Sequence, residues 1–586
     1  MEQLGQDDPH SGRNILWATL IMAVIFIAWA YFMSTPPAKV PAEAKPAQKA
    51  AVASKPEGKE PVEAPAAVLP GGGQPVADST ARDYTVANGD LELQVTNRGA
   101  LLGQVLLLKY KEKGGKASDL VSPLSAATGS LPLAIETGDK AYDELVNSAL
   151  FHVEQTERKG GGTSLDMSWS DGKGDAVEKK LDLPSSGYAV DFAVKAFKAG
   201  RPLDPVPLVW GPGFGRLLAS EAKNRYYQQE YVGVSEGGSF EKIVRGKVSA
   251  EKGTTVNELG AKGPIEWAAI TDNYFGAIFA PDSPMPWAKV ETQWLTPEEQ
   301  KVHPTDSDIS LVVGFPGSGK LYLIPKEWHL LSGMGDHFYK LTDWGILGPF
   351  CAILLWGLKK LYALSGNYGI AILLLTLVIK VAFYPLTQRS MVKMKEMGEG
   401  MKRLKPQIDR IKSKYKKLPK DMGNRTKMNE EMMALYQREG INPLSGMGGC
   451  LPMLLQMPVF FALFELLPRA IELRGAPFFG WIHDLSSPDP YYIAPIIMGL
   501  SMVVSTRMTA TQGMEGPQKL MLWFLPIMFT WFCLWAPAGL TLYWLANNLL
   551  TMGQQAIINR QVAQRKEAVA KARKSTPKGP SKPSHA

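Results

Sequence analysis

The sequence predicts a polytopic α-helical membrane protein of six spans, with a large external antiparallel β-sandwich domain between the first span and the second. Three observations predict it: apolar windows long enough to cross hydrocarbon, a region of short alternating runs between two of them, and basic charge gathered into two segments. The mean hydropathy of −0.09 averages a soluble portion with a membrane portion and describes neither.

Residues 1–14 form a short amino-terminal segment, expected in the cytoplasm, and residues 15–33 read as the first span. No strongly basic leader precedes that window and no clear small-x-small cleavage site follows it, so it reads as a retained anchor. Residues 34–82 are rich in Pro, Ala, Lys and Glu with almost no aromatic residues, the composition of an extended, disordered tether. From 83 to 328 the pattern changes to runs such as Leu91-Glu-Leu-Gln-Val95, Tyr188-Ala-Val-Asp-Phe-Ala-Val194 and Ile309-Ser-Leu-Val-Val313, separated by Gly, Asp and Ser clusters. These predict strands of a half-buried antiparallel sandwich. All three cysteines, Cys351, Cys450 and Cys533, lie in apolar stretches outside it, so disulfides do not hold it together.

Two glycine motifs in this region are decoys. Gly314-Phe-Pro-Gly-Ser-Gly-Lys320 has the spacing of a phosphate-binding loop, but Leu321 stands where a Ser or Thr holds magnesium, and Leu321-Tyr-Leu-Ile324 reads as strand rather than helix. A hairpin turn explains it better. Gly211-Pro-Gly-Phe-Gly215 has the same explanation, and the seven histidines show no metal-ligand spacing. No catalytic constellation emerges, so neither an enzyme nor a bound metal or cofactor is expected.

The remaining spans are expected at 368–386, 450–471, 491–506, 520–535 and 540–556, the last two separated by the turn Ala536-Pro-Ala-Gly539. Charge sets their direction. Between Thr387 and Gly448 there are 15 Lys or Arg against 7 acids, and from Asn559 to Ala586 there are 8 against 1, a combined excess of fifteen in a chain whose net charge is +8. Both segments, 387–448 and the tail 557–586, are therefore expected in the cytoplasm. Parity then places the sandwich and the loop 472–490 outside and the loop 507–519 inside. A span at Trp344 to Leu364 would reverse that arrangement. Residues 336–364 are accordingly read as an amphipathic helix in the outer interface.

One cation, Lys380, lies inside the apolar run from Gly369 to Pro385, with Thr376 one helical turn before it. An ionisable group within a span is costly enough to mark a functional site. A lysine could also snorkel to the inner end at Leu386, roughly 9 Å away at 1.5 Å per residue, and a buried threonine commonly bonds its own helix backbone. Glu465 and Arg469, four residues apart, read as an intramembrane ion pair. In the basic loop, Met391 to Lys416 and Thr426 to Gly440 are Met-, Lys- and Leu-rich at helical spacing, which predicts a helical hairpin. Its charge is either a solvated face or a docking surface for anionic lipid, ribosomal RNA or a nascent chain, and the tail has the same two readings.

Several motifs then carry a specific resemblance. Gly366-Asn-Tyr-Gly369, Asn442-Pro-Leu, Gln456-Met-Pro458, Ile471-Glu-Leu-Arg-Gly-Ala-Pro477, Trp481-Ile-His-Asp-Leu485, Asp489-Pro-Tyr-Tyr492 and Leu542-Tyr-Trp-Leu545 follow the external domain in that order. The whole resembles the YidC/Oxa/Alb family of membrane protein insertases of the bacterial inner membrane. That resemblance implies a periplasmic sandwich and a five-helix core, made by every span but the first, enclosing a hydrophilic groove open to cytoplasm and lipid and closed on the outer side. It implies a groove cation in the second span, usually arginine and here Lys380, with Thr376 beside it, and client contacts at Met457, Pro458, Phe460, Tyr543 and Trp544. The partners implied are nascent membrane proteins, the Sec translocon and the ribosome, with no DNA. Two other classes stay open from the residues themselves. A solute transporter would also bury charge, but no inverted repeat is visible. A membrane-anchored carbohydrate-active protein would need a carboxylate pair in the sandwich.

Overall fold

The computed structural model describes residues 74–112, 115–217, 221, 230–245, 248–251, 253–416, 422–439, 451–509 and 517–575. The expected first span at 15–33, the segment before it, most of the tether, Asn442-Pro-Leu and the end of the tail lie outside the described residues.

Alternating side chains build the sandwich. In the strand Leu91–Thr96, Leu91, Leu93 and Val95 are buried while Glu92 and Gln94 are partly exposed, the period-two signature of a sheet with one face on a core. Every strand pairing among the described residues is antiparallel. The longest sheet runs, in spatial order, Pro75–Val76, Gly162–Asp171, Ala176–Pro184, Ala189–Lys198, Ser318–Pro325, Phe275–Pro281, Ile265–Thr271, Tyr231–Glu236 and Ser239–Val244. A second sheet is ordered Thr254–Leu259, Ala288–Trp294, Ser307–Phe315, Val206–Trp210 and Ala134–Ile135. A third runs Asp83–Ala87, Leu91–Thr96, Leu101–Lys111 and Ala117–Asp119. Side chains from all three sheets join one core, where Trp210 meets Phe279 edge-on and Phe192 packs against Phe315.

Two expectations change here. The sandwich begins before residue 83, because Pro75–Val76 pairs with Gly162–Asp171 as an edge strand of the longest sheet, a position where proline's missing N–H costs no ladder bond. The glycine turn at 316–317 is not a hairpin. Ser307–Phe315 and Ser318–Pro325 belong to different sheets, so the turn carries the chain across the core, with Gly317 in the left-handed region at φ 83°.

Asp119 ends the strand Ala117–Asp119, and its Oδ1 accepts from the backbone N–H groups of Val105 and Val121 at 3.0 Å each. Burial pushes its carboxyl up to about 6, against the opposing pull of those two donors. An unfolded aspartate titrates near 3.9, so between roughly pH 4 and 6 the folded protein holds the extra proton and stability falls as pH rises. Asp119→Asn keeps the acceptor and deletes the charge. We expect thermal unfolding of the purified protein above pH 6 to shift upward by the equivalent of about 1–3 kcal/mol, and the decline across the acidic window to flatten. An unchanged pH profile would refute the assignment.

The carboxy-terminal half is helical: α1 (Gly348–Ser365), α2 (Tyr368–Lys416), α3 (Met422–Arg438), α4 (Leu451–Leu466), α5 (Ile493–Thr509), α6 (Pro517–Cys533) and α7 (Ala538–Ser575). Local chemistry sets the corners. Gly366 closes α1 in the left-handed conformation, its N–H bonded to Tyr362 O, and Asn367 Oδ1 then accepts from Ile370 N to start α2. Gly369 completes that motif, since a Cβ there would lie 2.0 Å from the Phe478 ring. Asp489 opens α5 by accepting from Tyr491 N and Ala494 N, and Trp481 Nε1 fixes the same carboxylate at 3.1 Å.

α2 packs on α1, α4 and α7, and α5 packs on α6 and α7. α2 does not stop at Leu386 but continues as one helix through the expected hairpin arm to Lys416. There Leu404 and Ile408 pack against Leu435 of α3, and Lys414 pairs with Glu431 at 2.5 Å. Among the described residues, Gly345–Ser365 and Tyr368–Lys416 are long and apolar enough to cross a membrane, and the apolar stretches Gln456–Leu466, Ile493–Met508 and Trp523–Cys533 are shorter.

The sandwich sits directly on this bundle. Asn273 Nδ2 and Tyr274 OH both donate to Pro468 O, at 2.8 and 3.1 Å, and Arg474 donates to Ser118 Oγ while its guanidinium covers the Tyr274 and Phe275 rings. α1 is tied to the sandwich at both ends. Asp343, just before it, pairs with Lys242 at 2.5 Å and Trp344 stacks on Trp328, while near its far end Lys359 pairs with Glu327 at 2.7 Å and with Glu472 at 3.2 Å. Its outer face exposes Phe350, Ile353 and Trp356.

Candidate substrate-binding seam

A polar seam runs between α2 and α7. Lys380 lies twelve residues into α2, about 18 Å from its start at 1.5 Å per residue, and Thr551 lies at a matching level, about 20 Å into α7. Lys380 Nζ donates to Thr551 Oγ1 at 2.8 Å. Toward the hairpin end, Gln554 Nε2 donates to Thr387 Oγ1 and Gln388 Oε1, and Gln388 Nε2 to Gln561 Oε1. Asn548, on the neighbouring face of α7, donates to Ser501 Oγ of α5.

Toward the sandwich, α7 packs through rings against α4 and α6. Phe460 of α4 is 4% exposed, meets Trp544 of α7 edge-on at 4.9 Å and contacts Phe529 of α6, on which Trp544 stacks at 4.8 Å. Tyr543 is buried behind this cluster, its hydroxyl accepting from Gln456 Nε2. α7 therefore presents polar groups to α2 and rings to α4 and α6.

The residues singled out from sequence divide accordingly. Lys380 faces the seam. Thr376 is buried and its hydroxyl donates to Ile372 O at 2.7 Å, which commits it to its own helix. Phe460, Tyr543 and Trp544 are brought together as packing, whereas Met457 is partly exposed and Pro458 exposed on α4. Glu465 and Arg469 form an ion pair, and Arg469 also donates to Asp343 O at 3.0 Å. That contact places the pair at the sandwich junction, so Glu465 is not the counter-ion of Lys380. Sequence reasoning missed Asn547, Thr551, Gln554 and Gln555. Their signal was available: polar residues at i, i+4, i+7 and i+8 form one stripe along the helix.

The sandwich holds a buried charged cluster of its own. His303 Nε2 lies 3.5 Å from Glu230 Oε1, and Asp308 and Arg245 are close enough to act on them electrostatically. Burial and the neighbouring Glu230 push the Asp308 carboxyl up to about 6. Burial pulls the His303 imidazole down, but Glu230 and Asp308 outweigh it and hold the ring above its ordinary value. His303 is 1% and Glu230 3% exposed, which denies a solvent-borne substrate access to the pair. Among the described residues no group of three His, Cys, Asp or Glu could hold a metal ion.

Known proteins match most of this sequence. Residues 83–357 match the family described as YidC periplasmic domain, and residues 360–566 match the family described as 60Kd inner membrane protein. The membrane protein insertase YidC of Geotalea daltonii is 33% identical over 94% of this chain and 99% of its own length. The chain belongs to the YidC family of membrane protein insertases. Its relatives of that name in Geobacter metallireducens and Cupriavidus necator are 32% and 30% identical, over 93% and 95% of this chain and 98% and 99% of theirs. The protein is thus an inner-membrane insertase, and the sandwich is its periplasmic domain.

Proposed function

We propose that the seam between α2 and α7 is the route by which the short polar flank of a membrane protein client enters the bilayer, from a cytoplasmic mouth at the hairpin end. The observation that carries this reading is the run of polar contacts between α2 and α7 from Lys380 toward the hairpin, through Thr551, Gln554, Thr387, Gln388 and Gln561, in a helix pair whose α7 is packed by rings against α4 and α6 toward the sandwich. A single-span client gains free energy when about 20 apolar residues enter lipid, but each charged group of its flank costs roughly 2.5–3.5 kcal/mol to bring to mid-bilayer. Water and polar side chains reaching partway in shorten the dry path, and Lys380 attracts acidic flanks. Release into lipid is downhill. The membrane potential adds about 2.3 kcal/mol per charge per 100 mV, favourably for anionic flanks moving outward, so no nucleotide is required.

The same reading orients the chain. The expected span at 15–33, the first part of α2, and α4 to α7 cross the membrane, and the α2–α3 hairpin and the tail lie in the cytoplasm. α1 is long and apolar enough to span, yet both of its ends are tied to the periplasmic sandwich. A helix so tied lies along the outer interface with Phe350, Ile353 and Trp356 in lipid. The basic hairpin and tail would dock the ribosome, anionic lipid and the Sec translocon.

The test is reconstitution of the purified chain alone in liposomes, scoring protease protection of a short single-span client. Protection well above that in empty liposomes is expected. A folded protein that gives none with a competent client would overturn autonomous insertion, and recovery on adding the Sec translocon would assign an obligate partner.

A further inference from the structure

Lys380 has a neutral partner in Thr551. Thr551 Oγ1 donates its own hydrogen to Asn547 O at 2.7 Å, one turn back on α7, which leaves a lone pair directed at Lys380 Nζ. Among the described residues no carboxylate forms an ion pair with Lys380, and Glu465 is already given to Arg469. A lysine ammonium has three N–H donors. One is held by Thr551, the charge is not neutralised, and further donors remain for an incoming group. Without an acceptor at this level, the flexible stem would let the ammonium move toward the hairpin end of α2.

We propose that Thr551 is a positioning residue that fixes the depth of the Lys380 charge in the seam, and thereby makes the insertase selective for clients whose short translocated flank carries Asp or Glu. This rests on the reading of the seam as the client route. A threonine suits the task because its hydroxyl can satisfy its own helix and still accept, whereas an acidic residue at the same place would cancel the charge. The selectivity is a ratio: acidic flanks gain from the fixed cation and uncharged flanks do not.

The experiment uses the full chain in liposomes with two single-span clients that differ only in carrying two Asp or two Asn in the translocated flank. Wild type, Thr551→Val, Thr551→Ala, Thr551→Ser and Lys380→Ala are compared, each checked for monodispersity and thermal unfolding in detergent. Wild type is expected to favour the Asp client by about tenfold, Thr551→Val and Thr551→Ala to bring the ratio to within about twofold of unity, and Thr551→Ser to restore it. A wild-type ratio kept by both Val and Ala while Lys380→Ala loses it would overturn the positioning role and leave the seam reading intact. Equal loss with both clients at an unchanged ratio would make Thr551 a packing residue and overturn it too, as would a serine variant no better than valine. A ratio unaffected by Lys380→Ala itself would remove the seam reading along with this inference.

Discussion

Lys380→Ala is expected to lower insertion of an acidic-flank client by at least about tenfold in liposomes, while Lys380→Arg keeps most of the activity. A hydrogen bond to a charged group contributes roughly 1.5–3 kcal/mol, and each 1.36 kcal/mol is a factor of ten. The alanine variant removes the charge but leaves the seam otherwise polar, through Thr551, Gln554, Thr387 and Gln388. The arginine variant asks a second question. An arginine at this position could bind a carboxylate with a two-pronged fork, and a lysine cannot. If a point charge at this depth is what clients meet, Arg and Lys are nearly equivalent. Activity of the alanine variant equal to wild type, with protein folded and correctly oriented, would leave Lys380 as a snorkelling residue of no functional weight.

Arg469→Leu is expected to be the most destabilising single change at the junction between the sandwich and the bundle. Arg469 pairs with Glu465, donates to Asp343 O, and sits beside the Lys242–Asp343 pair, with both members of its own pair only about a fifth exposed. Removing one partner of a buried pair typically costs 3–5 kcal/mol because the other charge is stranded, and partial exposure here lowers that to about 2–4. Removing both is milder, so Arg469→Leu with Glu465→Leu should recover at least about half of the loss. Thermal unfolding in detergent reads the stability, and trypsin sensitivity near Lys326 and Lys340 reads the loosening of the junction. A double variant no more stable than Arg469→Leu alone would mean that stranded charge is not the cause.

The legible part of this fold is what two periodicities encode. Leu91, Leu93 and Val95 announce a strand because alternate side chains share a face, and the apolar windows announce helices of the bundle because apolar length is itself the physical requirement. Hydropathy cannot find where α2 ends. Thr387, Gln388 and Arg389 close the apolar window, yet backbone hydrogen bonding is indifferent to that change and the helix runs to Lys416. Nor could a one-dimensional pattern show that the turn at 316–317 joins two sheets. Lys179 is a sharper case. It stands in the run Glu178-Lys179-Lys180, reads as surface, and is fully buried with its ammonium on Gly99 O, Ala100 O and Leu133 O, residues with positive φ. Burial pulls that ammonium down to about 7. At the seam, the cation was visible because a charge among aliphatics is conspicuous. Its partner was not, because a threonine in a helix is ordinary until the facing helix is known.

The unbroken course of α2 makes it a lever. Its 49 residues extend about 74 Å, and Pro385, which cannot donate to the carbonyl four residues before it, is the natural fulcrum. The arm beyond Pro385 is about 46 Å long, and Lys380 lies about 7.5 Å on the other side. If the rod stayed stiff through the fulcrum, a sideways push of about 10 Å at the hairpin tip would turn it by about 12° and move the cation's backbone by less than 2 Å. A displacement of the tip would thus be geared down roughly sixfold before it reached Lys380. Large displacements of the hairpin would become small, fine ones at the cation.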